Sequence, residues 1–141
     1  VCSYVILKEK QTGKDFVVFN THLDHISDEA RINGIRVVLD KIAQFGGKPS
    51  IIMGDFNAKE SSETYKMATE NFNDAKYLTD NPDNSCTYQN FGKALDRSCI
   101  DYFMVSKTGV TAQSFEIVKN TYDGVYPSDH FPIAVTLTLT D

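Results

Sequence analysis

The sequence predicts an α/β domain, and three observations carry that prediction. Short apolar runs rich in β-branched and aromatic residues recur along the chain. A well-marked amphipathic helix stands between two of them, in the manner of a crossover unit. Polar residues with useful chemistry fall where the apolar runs end, the place where α/β folds assemble sites.

The elements follow in order. Tyr4 to Lys8 and Phe16 to Phe19 are strand-like runs separated by Gln11-Thr12-Gly13-Lys14, a hairpin signal. The second run is apolar on both faces, as a covered strand would be, and empties into Asn20-Thr21-His22-Leu23-Asp24-His25. Ser27 is an N-cap followed by acidic first-turn residues Asp28 and Glu29. Ile35, Val38, Leu39, Ile42 and Phe45 then recur at helical spacing until Gly46-Gly47. Ile51-Ile52-Met53 is a compact strand that a crossover would lay beside the earlier one, and Gly54-Asp55-Phe56-Asn57 leaves its end.

A shorter helix is expected from Ser61 or Ser62, carrying Tyr65, Met67 and Ala68. Thr79 to Lys93 turns to Asn, Asp, Ser and Pro and reads as a long surface loop, with a short strand at Cys86-Thr87-Tyr88. Ile100 to Val105 and Phe115 to Val118 are further strands. In the last, Ile133, Val135, Leu137 and Leu139 alternate with Ala134, Thr136, Thr138 and Thr140, the period of a half-buried strand. Ser128-Asp129-His130-Phe131-Pro132 lies at its mouth.

Composition bounds the function. At 141 residues the chain is one domain's worth, and residues 1–141 are expected to form a single unit. Fourteen Lys and Arg against 19 Asp and Glu give a net charge of −5, which argues against a broad electrostatic grip on a long nucleic acid. Nucleotide chemistry stays open, because an acidic cluster around a divalent cation attracts phosphate locally. Cys2, Cys86 and Cys99 lack zinc-site spacing and read as free, mostly packed thiols. With no leader and no membrane-length apolar run, the chain reads as soluble, with no membrane span and a cytoplasmic setting favoured over secretion.

Four groups of polar residues then stand at or within strands: His22, Asp55 with Asn57, Asp101, and Asp129 with His130. Alone, each has an ordinary reading as a surface histidine, a turn or a cap; their combination points to a site. Asp101, flanked by Ile100, Tyr102 and Phe103, is costly to bury without a partner. A histidine suits it, since a carboxylate on one ring nitrogen fixes the tautomer and favours imidazolium. Asp24, Asp28, Glu29, Glu60 and Glu63 are expected to be solvated or near helix starts.

The ordered set Asn20-Thr21-His22-Leu23-Asp24, Gly54-Asp55-Phe56-Asn57, Ile100-Asp101-Tyr102 and Ser128-Asp129-His130-Phe131-Pro132-Ile133 resembles the endonuclease/exonuclease/phosphatase superfamily, with its DNase I-like fold. The resemblance implies the C-terminal half of a four-layer α/β sandwich, with a mixed β-sheet and helices on its outer face. It also implies phosphate-ester hydrolysis dependent on Mg²⁺ or Mn²⁺. On these positions Asp55 would orient or deprotonate the attacking water, and Asn57 would help position the phosphate. Asp129 would belong to the metal-binding acids. His130, braced by Asp101, would contact the scissile phosphate, and His22 would supply another phosphate contact.

Two departures accompany the resemblance. Many relatives carry an arginine two residues before the acid that matches Asp101, where this chain has Cys99, with Arg97 nearby. Complete members are nearly twice as long, and their first half supplies an asparagine and a metal-binding glutamate absent here. The isolated chain is therefore expected to bind a cation weakly, to be poorly active, and to self-associate through an uncovered apolar sheet face. The competing readings are a non-catalytic binding module and a zinc hydrolase using His22, His25 and His130; the excess of carboxylates and amides disfavours the latter.

Overall fold

The computed structural model of the protein describes residues 1–94 and 98–140; Arg97 lies outside the described residues. Strands β1 (Cys2–Lys8) and β2 (Asp15–His22) form the expected antiparallel hairpin. Helix α1 (Asp28–Ala43) follows, capped by the Ser27 hydroxyl, which accepts from the Ala30 N–H at 3.2 Å. Gly46 and Gly47, with φ of 64° and 79°, turn the chain after it. Strand β3 (Ser50–Asp55) then returns parallel to β2, completing the predicted crossover.

Ser62 caps α2 (Glu63–Asn71), which runs directly into β4 (Phe72–Asp74) and a 3₁₀ turn at Ala75–Leu78. Neither of these last two is marked by hydrophobic periodicity in the sequence. Strands β5 (Asp101–Ser106), β6 (Val110–Ile117) and β7 (Ile133–Leu139) complete the described elements. The penultimate strand thus starts at Val110, ahead of the Phe115 start that its apolar run suggests. The order is β1-β2-β3-β5-β4 in a mixed sheet, with β6 and β7 paired separately.

Alternation along the strands builds two cores. On one face Val17, Phe19, Ile52, Tyr102 and Met104 pack against Ile35 and Val38 of α1 and Ala68 of α2. The largest fully buried rings, Tyr102, Phe19 and Phe56, all lie in this helix-side core, where each contributes about 2–3 kcal/mol by burial. On the other face Ile51, Val105, Phe16, Val18 and Phe103 meet Val110, Ala112, Val135, Leu137 and Leu139 of the β6–β7 pair. The sheet face expected to be bare is therefore covered in part. Beyond this cover, Val5 and Leu7, opposite Val18 and Phe16 in register, remain 47% and 42% exposed.

The stretch from Thr79 to Lys93 is the loop its composition suggests, with Asp80, Asn81, Asn84 and Asn90 exposed, but part of it is pinned into the interior. Thr87 and Gln89 are buried, at 0% and 3% exposure, and the backbone of Tyr88 bridges both Ser98 and His130. Thr87 and Gln89 bond to Ser98, Ser128 and Asp129, distant in sequence, so polarity at these two positions does not mean solvation.

Candidate active site

Strand register places three polar residues in a row. His22 lies opposite Asp55 in the parallel β2–β3 pairing, and Asp55 lies opposite Asp101 in the antiparallel β3–β5 pairing. Lateral partners share a face, and this face is the one that β6 and β7 cover. On the opposite face Phe56 is fully buried and meets Tyr102 edge-on, with ring centroids 5.2 Å apart. The Tyr102 hydroxyl reaches the carbonyls of Ala58 and Cys99, both at 2.8 Å, which anchors the start of β5.

Gly54 permits the row to form. Its φ is +127°, and a Cβ there would lie 2.0 Å from the Thr21 carbonyl oxygen. Beyond it Asn57 adopts the left-handed region, with φ of 49°. Its backbone N–H donates to Asp55 Oδ1 at 2.7 Å and its side-chain nitrogen to the Leu23 carbonyl at 3.0 Å. Asp55 is thereby oriented from within its own turn.

His130 arrives from the loop that leads into β7. Its Nδ1 lies 2.8 Å from Asp101 Oδ2, and its Nε2 lies 3.9 Å from Asp55 Oδ2. His22 Nε2 lies 3.4 Å from the same Asp55 oxygen. The partner proposed for Asp101 on grounds of burial cost is thus the histidine that the structure supplies. Asp55, Asp101 and His130 side chains are 15%, 16% and 24% exposed, whereas His22 is 68% exposed.

The loop is held by a segment the sequence reading left out of the site. The N–H groups of Gln89 and Asn90 both donate to the Asp129 carbonyl at 2.9 Å. Gln89 Nε2 donates to the Ser128 carbonyl at 2.6 Å, and the Phe131 N–H donates to the Thr87 carbonyl at 2.7 Å. Tyr88 meets the His130 ring edge-on at 5.2 Å. The one sequence signal for this segment was the β-branched and aromatic pair Thr87-Tyr88 inside a polar stretch.

All six predicted site residues, His22, Asp55, Asn57, Asp101, Asp129 and His130, line a single cavity of about 570 Å³, joined by His25, Tyr88 and Ile100. Burial, reinforced by the charge of Asp101, pushes Asp55 above the usual carboxylate range, against the pull of the Asn57 N–H and the two imidazoles. Burial also opposes charge on His130. The hydrogen bond and charge of Asp101, with Asp55 and Asp129, outweigh it and raise its pKa above the ordinary histidine value.

Among the described residues, Asp55, Asp101 and His130 form the cluster with ligand atoms within 4.8 Å of one another. Asp129 lines the same cavity outside that cluster, and His22 and His25 do not join it. Behind the site, Lys76 is 2% exposed and bonds Glu60, which also accepts from the Tyr77 hydroxyl at 2.6 Å. Glu60 thus stands near the start of α2, as expected, and is also the partner of a buried cation. Cys99 lies nearby, its thiol pushed up to about 11 by burial. Cys2, Cys86 and Cys99 are free, with Cys2 exposed. Among the described residues no helix is long and apolar enough to cross a membrane.

Comparison with known proteins adds an independent line. The family model for the Endonuclease/Exonuclease/phosphatase family matches residues 4–130. A functionally unknown protein of Enterococcus faecalis V583 is similar at 32% identity and a TM-score of 0.88, over 99% of this chain and 56% of that structure. An endonuclease/exonuclease/phosphatase family protein of Bacteroides thetaiotaomicron is similar at 30% identity and 0.87, over 99% and 55%. A mannosyl-6-phosphatase of Bacteroides thetaiotaomicron VPI-5482 is similar at 30% identity and 0.85, over 98% and 57%. No curated protein matches the chain. The chain spans a little over half the length of these solved structures. The matched residues, the mixed sheet with two helices and the DNase I-like neighbours agree, and this chain belongs to the endonuclease/exonuclease/phosphatase family.

Proposed function

We propose that this chain carries the water-activating and phosphate-handling side of a divalent-cation-dependent phosphoesterase. The observation that carries the reading is His130, held at Nδ1 by Asp101 with its Nε2 turned toward Asp55. In this reading Asp55 orients the attacking water and takes its proton. The water oxygen bonds to phosphorus as the ester P–O bond breaks, and the leaving alkoxide takes a proton from solvent to depart as the alcohol. His130 as imidazolium, with His22, faces the phosphate oxygens where charge develops, and Asn57 helps position them.

The donor set fits a hard cation. Asp101 is committed to His130, which leaves Asp55 and Asp129 as carboxylates on the cavity. Mg²⁺ or Mn²⁺ is commonly held by one or two carboxylates with water completing the shell. Such an ion would neutralise phosphate charge when bound. With two carboxylates, binding by this chain alone is weak and its activity low. The net charge of −5 and the similarity to a mannosyl-6-phosphatase favour a small phosphate ester over duplex DNA as substrate.

The test is hydrolysis of activated phosphomonoesters and phosphodiesters with Mg²⁺ or Mn²⁺. Activity lost on chelation and in His130→Ala supports the reading. A folded chain with no hydrolysis of either ester, which still binds phosphate esters, would favour a binding module. We further propose that a second copy of this chain covers Val5 and Leu7, since β1 is an edge strand of its sheet and these two side chains are exposed.

A further inference from the structure

We propose that Thr87 is the positioning residue that locks Asp101 and His130 to one another, although it does not line the cavity. The inference rests on the reading of that pair as phosphate-handling machinery and extends it to a residue in the stretch that composition marks as loop.

Thr87 is fully buried. Its hydroxyl accepts from the backbone N–H of Ile100 at 3.0 Å and of Asp101 at 3.2 Å, and it is placed to donate to the Ser98 carbonyl at 3.5 Å. That uses the whole capacity of a hydroxyl, one donor and two acceptor positions. Its backbone works on the other partner. The Thr87 carbonyl accepts from the N–H of Phe131, the residue after His130, at 2.7 Å. The Thr87 N–H donates to the Ser98 carbonyl at 3.0 Å.

Asp101 and His130 come from segments 29 residues apart. Thr87 bonds the main chain of the first through its side chain and the main chain beside the second through its carbonyl. Its place in the chain therefore sets the separation across which the 2.8 Å bond forms. Valine has the same shape without the hydroxyl, so Thr87→Val would leave the Ile100 and Asp101 amides without their acceptor in the interior. Serine keeps the hydroxyl and gives up a methyl group. The pair of variants separates the hydrogen bonds from the packing.

The decisive readout is the downfield proton resonance of the His130 ring N–H bound to Asp101, followed by NMR on the 141-residue chain. It is expected in the native chain and in Thr87→Ser, and shifted or lost in Thr87→Val that still melts cooperatively. Hydrolysis should track it, with kcat falling about 10- to 100-fold in Thr87→Val at little change in KM and recovering in Thr87→Ser. A cooperatively folded Thr87→Val with native resonance and native kcat would overturn the proposal. If Thr87→Val does not fold, amide exchange in the native chain decides. Ile100 and Asp101 amides protected like the interior of β5 support it, and exchange at the rate of exposed loops overturns it. Absence of the resonance from the native chain would instead overturn the His130–Asp101 pairing itself, and this inference with it.

Discussion

Asp55 and Asp101 face one another directly across the β3–β5 pairing, two carboxylates at one register position, with His130 bound to the second and 3.9 Å from the first. Like charges opposite one another on a sheet are unfavourable, and here the imidazolium between them offsets the repulsion. Replacing Asp101 by asparagine keeps the shape, removes one charge and loosens the hold on the His130 tautomer. The expected outcome is a fall in kcat of about 100-fold or more, with a thermal midpoint below the native one because His130 loses its counter-charge. Steady-state kinetics and calorimetry on Asp101→Asn check both halves; native kcat would refute the assigned role.

Gly54 has no tolerance for a side chain. A Cβ would lie 2.0 Å from backbone, and a φ of +127° is strained for any other residue. Gly54→Ala should lose at least about 1–3 kcal/mol from backbone strain alone, and the clash should spread the β2–β3 pairing that carries His22 and Asp55. Urea denaturation gives the stability, and phosphate-ester hydrolysis by the remaining folded protein should fall further than that loss accounts for.

The Lys76–Glu60 pair makes a pH prediction. Burial works against ionisation of Glu60, but the bonds from Lys76 and Tyr77 outweigh it and its pKa lies below the usual 4.5. Its contribution is therefore full above pH 4.5 and lost as pH falls through the lower folded value. Lys76 is raised above 10.5 despite burial, so its contribution is full below that pH and lost as pH rises through the folded value. Glu60→Gln should flatten the acid limb of stability. At neutral pH Glu60→Ala, which strands a buried ammonium, should cost about 3 kcal/mol, and Lys76→Met much less. Denaturation across pH tests the order; equal costs for the two would contradict it.

Self-association is the fourth expectation. Sedimentation velocity should show a concentration-dependent dimer for the native chain, and a Val5→Lys, Leu7→Lys double variant should remain monomeric. A native chain that stays monomeric at high concentration would rule out the β1 contact.

Much of the site was legible because its residues interrupt patterns. Asp101 breaks an apolar run, and His22, Asp55 and His130 stand where runs stop, so local spacing marked each as a candidate and their combination pointed to a site. Thr87 and Gln89 were not legible. Their neighbours are turn formers, and nothing local reports that a loop 39 residues on, at Ser128, wraps over them. Lys76 was hidden for the same reason, since its burial depends on Glu60, 16 residues earlier. The start of β6 at Val110 lies in an alternating but weakly apolar stretch, where the pattern fades before the strand does.

The row of His22, Asp55 and Asp101 has a consequence for how this protein is made. Each residue reaches the cavity only while its strand is aligned to the exact rung with its neighbour, because a slip of one position turns a side chain to the opposite face. A misaligned sheet would bury Phe103 or Tyr102 almost as readily, yet it would send Asp101 toward the helices and leave His130 without its partner. Under the proposed function, chemistry at this site would report correct assembly: molecules that zip up wrongly would be silent, and turnover would count only those whose strands found their native alignment.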